Sequence, residues 1–113
     1  MSNSQVNVPE EVYVDILGTT YRIEVEDEIA KEGYDGLCWP FDKVIQIVSW
    51  DSIDACGDDG RKNTAQFVLR HEIVHALFVE SGMVQRSQDE ELVDFIAYHI
   101  PTLVKIFEQV GAI

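Results

Sequence analysis

Basic residues are scarce in this chain: eight lysines and arginines stand against 21 aspartates and glutamates, a formal charge of -13 at pH 7. So acidic a surface repels phosphate backbones and anionic membranes, so no nucleic acid and no membrane is expected as a partner, and partners carrying positive charge are favoured. Cysteine is rare as well. The two present, Cys38 and Cys56, form no CxxC group, which argues against a redox motif and a thiolate zinc site and leaves two free thiols. No apolar run reaches membrane-spanning length, and the opening MSNSQVNVPEEVYV lacks the basic and apolar regions of a secretory leader, so a cytoplasmic location is expected. Internal repeats and low-complexity segments are absent, and nothing in the chain signals an oligomeric state.

What is present suffices for one core: 113 residues, 46% of them hydrophobic, fold as a single domain without disulfide staples. Residues 1–10 are polar around Pro9 and read as a flexible tail, with the domain over 11–113. Val12, Val14 and Ile16 alternate with Tyr13, Asp15 and Leu17, and after Gly18-Thr19 the run Tyr21, Ile23, Val25 alternates likewise, which predicts two strands with one face buried. A short helical turn fits Asp27 to Tyr34. Val44 to Val48 reads as a third strand, and the aspartate-rich stretch from Trp50 to Lys62 as an exposed loop. Calcium is an alternative for Asp51, Asp54, Asp58 and Asp59, but the alternation of an EF-hand loop is missing. From Asn63 or Thr64 a helix runs to a stop at Gly82, and a second opens near Ser87 and is kinked or restarted by Pro101. Leu103, Val104, Ile106 and Phe107 continue its apolar face. The fold class is α+β, about three strands packed on two helices.

His71-Glu72-Ile73-Val74-His75 is an HExxH sequence. Histidines four apart lie one helical turn from each other, about 6 Å along the axis, so both imidazoles can address one metal. Glu72 sits about 100° away on the flank, where it can reach a metal-activated water as general base without being a ligand. Zinc suits imidazole and carboxylate donors and keeps a position for water. By helical phase Thr64, Phe67, Val68 and Phe78 share the metal face while Leu69, Ile73, Ala76 and Leu77 lie opposite, so the helix is sandwiched inside the protein. Two histidines and a glutamate in such a helix are costly to bury unless a ligand satisfies them, which speaks against a chance HExxH on an ordinary core helix.

A catalytic zinc takes a third protein ligand. Three carboxylates compete for that role. Relative to the apolar face of Val93, Ile96 and Ile100, Glu90 lies near the edge, Glu91 almost opposite and Asp89 nearer the centre. Ser87-Gln88-Asp89-Glu90 also reads as a capping box in which Glu90 only satisfies the helix start. Of the remaining candidates, His99 reads as solvated or hydrogen-bonded, and Tyr34 and Tyr98, although able to stabilise an oxyanion, read first as packing residues.

Residues 68 to 77, VLRHEIVHAL, resemble the extended zincin signature. The metzincin continuation is excluded by Phe78 and Ser81, whereas DEELVD at 89 to 94 resembles the gluzincin pattern NExxxD, with Asp89 in place of asparagine. That resemblance implies Glu90 as third ligand and Asp94 as the residue that holds a ligand histidine from behind. Over residues 12 to 107 the chain resembles the small zincin-like metallopeptidases of phages and prophages. The resemblance implies a twisted sheet on the active-site helix, a ligand helix beneath, Val44 to Val48 as an edge strand that binds extended substrate, and Gly36 to Asp42 as a loop rimming the cleft. The activity it implies is zinc-dependent cleavage of a peptide or protein substrate. A zinc-stabilised regulatory or interaction module without turnover is the second class the same residues fit.

Overall fold

The computed structural model describes residues 11–113; the expected tail, residues 1–10, lies outside the described residues. Four strands form one mixed sheet, with β1 at Glu11–Ile16, β2 at Thr19–Val25, β3 at Gly36–Trp39 and β4 at Val44–Ile47. Three helices follow, α1 at Gly57–Glu80, the single turn α2 at Val84–Ser87, and α3 at Glu90–Val110. Short 3-10 turns occupy Asp27–Glu32 and Trp50–Ser52. The α+β class is as expected. Among the described residues no helix is long and apolar enough to cross a membrane.

β1 and β2 form an antiparallel hairpin closed by Leu17 and Gly18, both at positive φ, a two-residue turn whose twist matches that of the strands. The sheet order is β1-β2-β4-β3, with β2 and β4 parallel and β3 antiparallel to β4. Two expectations change here. Gly36 to Asp42 is not merely a loop, because its first four residues pair with β4 as the fourth strand. Val44 to Val48 is therefore not an edge, and the strand itself stops at Ile47. Apolar side chains on both faces explain its central place: Val44, Ile45 and Ile47 are all buried, and a strand so covered belongs between two others.

One face of the sheet packs Tyr21, Ile23, Ile45 and Ile47 against Val68, Leu69, Ile73 and Ala76 of α1. On its other side α1 sets Phe67, Val74 and Phe78 against Val93, Ile96, Ala97 and Ile100 of α3. The sandwiched helix is as anticipated, except that Leu77 is partly open to solvent. Its start lies earlier than the expected loop allowed. Asp58 and Asp59 occupy the first turn of α1, where free N–H groups and the helix dipole favour acidic side chains, so Gly57 to Lys62 is helical. Asp89, at the head of α3, is the cap: its Oδ1 accepts the Leu92 N–H at 3.1 Å. The anticipated box, with Glu90 reaching back, is replaced by this Asp89 cap.

Pro101 neither ends nor restarts the second long helix; α3 runs through it. Proline leaves the carbonyl four residues back without its N–H, and that carbonyl belongs to Ala97. Arg70 Nε of α1 donates to it at 2.7 Å. Beyond Pro101 the apolar face persists in Leu103, Val104 and Ile106, yet these side chains are exposed instead of packed. At the far end of α1, Glu80 accepts hydrogen bonds from Thr19 Oγ1 at 2.8 Å, Tyr21 OH at 2.6 Å and Lys43 Nζ at 2.7 Å, tying the helix to β2 and to the β3–β4 turn.

Candidate metal centre

The middle of α1, held between sheet and α3, carries both HExxH histidines toward the start of α3. His71 Nε2 lies 3.1 Å from His75 Nε2, and Glu90 meets both rings, Oε1 at 3.0 Å from His71 Nε2 and Oε2 at 3.2 Å from His75 Nε2. Among the described residues His71, His75 and Glu90 are the one cluster of three or more histidine, cysteine or acidic groups close enough to share a metal ion. Asp89 is engaged in its cap and Glu91 is not part of the cluster, so of the three competing carboxylates the fold brings Glu90 to the histidines.

Proton positions decide what this cluster can hold. His75 Nδ1 lies 2.7 Å from the Ser87 backbone carbonyl, which can only accept, so the ring proton sits on Nδ1 and Nε2 presents a lone pair. Ser87 Oγ donates to the His75 carbonyl at 3.1 Å and fastens the same contact. His71 Nδ1 lies 2.8 Å from Asp94 Oδ1, although the N–H does not point along that line and makes no well-aligned hydrogen bond. His71 Nε2 meets Glu90 Oε1 at 3.0 Å in hydrogen-bonding geometry, so a carboxylate faces each ring nitrogen; a cation between the histidines would take the Nε2 lone pair and leave the proton on Nδ1, toward Asp94. In that tautomer two imidazole lone pairs and a carboxylate converge without a donor among them. Such an arrangement is repulsive by itself and favourable around a cation. The spacings also match the edge of a tetrahedral zinc site, about 3.3 Å for ligands at zinc–nitrogen distance. The donor set fits zinc.

Glu72 lines the same cleft, which measures about 450 Å³ and is walled by Gly36, Leu37, Cys38 and Pro40 on one side and by Ser87 and Glu90 on the other. Only 6% of Glu72 is exposed. Burial pushes its carboxyl up to about 8, and the negative charge of Glu90 adds to the shift. A cation bound by the neighbouring histidines acts the opposite way and favours the carboxylate. Cys38 is pushed up to about 12 by burial, with Glu72 and Glu80 adding, which makes its thiol a poor nucleophile at neutral pH.

Tyr34 lines the cleft, whereas Tyr98 and His99 lie outside it on α3, their rings stacked at 5.1 Å with Phe95 against His99 at 4.6 Å. In the sequence Ser87 stands out only as the head of the second helix and Gly36 only as the start of the loop expected to rim the cleft; neither is marked as a neighbour of His75 or Glu72. Nothing in the order of residues marks a serine carbonyl as the partner of a histidine twelve positions earlier. No family model, no curated protein and no solved structure matches this chain.

Proposed function

We propose that this chain is a zinc-dependent hydrolase of zincin-like fold, of the gluzincin type, that cleaves peptide bonds. The observation that carries the reading is the convergence of His71, His75 and Glu90, close enough to share one metal ion, beside a buried Glu72. Asp94 behind His71 is in keeping with the gluzincin resemblance, as is the HExxH helix between sheet and second helix.

His71, His75 and Glu90 would hold the metal, and zinc supplies Lewis acidity that polarises a carbonyl and makes water acidic near neutral pH. Glu72 accepts the proton of the attacking water and delivers it to the leaving amine. Among the described residues β3 is the edge strand that lines the cleft, which favours an extended substrate. Val48 N–H donates to the Asp35 carbonyl at 2.9 Å, and alternation along the antiparallel pair then turns the N–H and C=O of Gly36 and Cys38 away from β4, off the free edge. An added peptide strand can use those groups. The role first assigned to Val44 to Val48 belongs to β3. An acidic chain of this kind works as a cytoplasmic peptidase of the phage or prophage type, without nucleic-acid or membrane partners.

The test loads the full chain with zinc and follows a mixed peptide library by mass spectrometry. Wild type cleaves, and Glu72→Gln retains zinc but loses about 10²–10⁴-fold in turnover. Equal activity in both removes the mechanism. Zinc bound with no cleavage by either leaves the non-enzymatic module.

A further inference from the structure

Gly18, Gly33, Gly57, Gly82 and Gly111 all sit at positive φ with open space where a side chain would be. Gly36 differs on both counts. Its φ is not positive, so no backbone demand selects glycine, and it lies in the first position of β3 against the middle of α1. A Cβ built there would stand 2.7 Å from Val68 Cγ1, 3.0 Å from Glu72 Cγ and 3.2 Å from Glu72 Oε2. The row Gly36, Ile47, Val25 crosses the sheet at one level, which puts Gly36 on the face that covers α1.

We propose that Gly36 is a positioning residue for Glu72, its missing side chain letting the edge strand close onto the glutamate and hold the carboxylate beside the histidine cluster. This rests on the reading of Glu72 as the proton-transfer group. The two neighbours of the absent Cβ respond differently. Val68 is β-branched and held to essentially one rotamer in a helix, so it does not swing aside. Glu72 has free torsions beyond Cγ, so an added methyl displaces its carboxylate into the cleft. None of the three atoms nearest that Cβ belongs to His71, His75 or Glu90, so those residues are expected to keep their places. The outward N–H and C=O of Gly36 belong to the same strand, so the distance between the edge strand and α1 also sets how far an added peptide lies from the glutamate.

The experiment uses Gly36→Ala, Val68→Ala and the double variant in the full, zinc-loaded chain. Gly36→Ala is expected to bind zinc as wild type does and to lose about 10²-fold in kcat, the cost of a misplacement of about 1 Å at a reacting group. Its KM should move far less. Val68→Ala removes the nearest clash, so in the double variant the Tm returns toward that of Val68→Ala alone while kcat stays low. Recovery of kcat in the double variant, or wild-type kcat in Gly36→Ala, overturns the proposal, since either means that only strand packing was disturbed. A crystal structure of Gly36→Ala supplies a readout independent of turnover. A displaced Glu72 carboxylate supports the proposal even where wild type proves inactive and the hydrolase reading fails, and an undisplaced one overturns it.

Discussion

Each histidine of the pair is fixed from behind by a different device. His75 Nδ1 is tied to a backbone carbonyl of α2, and His71 faces the Asp94 carboxylate one turn into α3. Groups that orient a ligand ring affect affinity without touching the metal. Asp94→Ala is therefore expected to weaken zinc binding about 10–100-fold while His75→Ala abolishes stoichiometric binding, both read by competition with a chromogenic chelator. Unchanged affinity in Asp94→Ala would separate that carboxylate from the site. In the proposed mechanism Glu72 is the opposite case, a buried group assigned to proton transfer and not to holding the ion.

α1 and α3 are joined at the level of the site by two kinds of contact. The apolar seam of Phe67, Val74, Val93 and Ala97 supplies burial, and the Arg70 bond to the Ala97 carbonyl repairs the gap left by Pro101. Arg70→Met should cost about 1–3 kcal/mol, the range for a hydrogen bond from a charged donor and an acceptor left unsatisfied. In a Pro101→Ala background position 101 regains its N–H, and the same substitution should cost less. Urea unfolding of the four chains measures the difference. Additive costs would show that Arg70 does nothing for the proline gap. Because Glu90 and Asp94 ride on α3, any slip along this seam also moves the carboxylates relative to the histidines.

At the scale of the whole molecule, Glu80 ties the C-terminal end of α1 to the sheet. Hydrogen bonds from Lys43, Tyr21 and Thr19 hold its carboxyl well below the ordinary value, at about 2. A group depressed in the folded state stabilises above its unfolded value of 4.5, and the contribution is lost as pH falls from there toward 2. The Tm of wild type should accordingly drop across that window. Glu80→Gln should start from a lower Tm at pH 7 and lose less on acidification, and parallel curves for the two proteins would refute the assignment. On the proposed reading zinc stabilises the whole fold through linkage, because the unfolded chain has no preformed site. At free zinc about 100-fold above Kd the gain is about 2.7 kcal/mol, and a chelator should reverse it in a thermal melt.

Some of this was decided by the order of residues alone. Helical spacing puts His71 and His75 on one face with Glu72 on its flank, since a turn of helix is local and needs no tertiary information, and the alternation of Val12 to Val25 specifies the first hairpin for the same reason. The α+β class and the apolar faces of both long helices follow from periodicity as well. Contacts between distant segments were not readable in that way. Helical phase already set Glu91 apart and the gluzincin resemblance named Glu90, but the choice between Asp89 and Glu90 depended on the extra turn α2 and on Asp89 taking the cap, a shift of one residue that periodicity does not resolve. β3 became an edge because β4 pairs in parallel with β2 across the 3-10 turn Asp27–Glu32 and β3, and such pairing is chosen by burial in the assembled core. Gly36 over Glu72 and the Ser87 carbonyl at His75 are likewise outcomes of packing, where two backbones approach closely only after the sheet, α1 and α3 have come together.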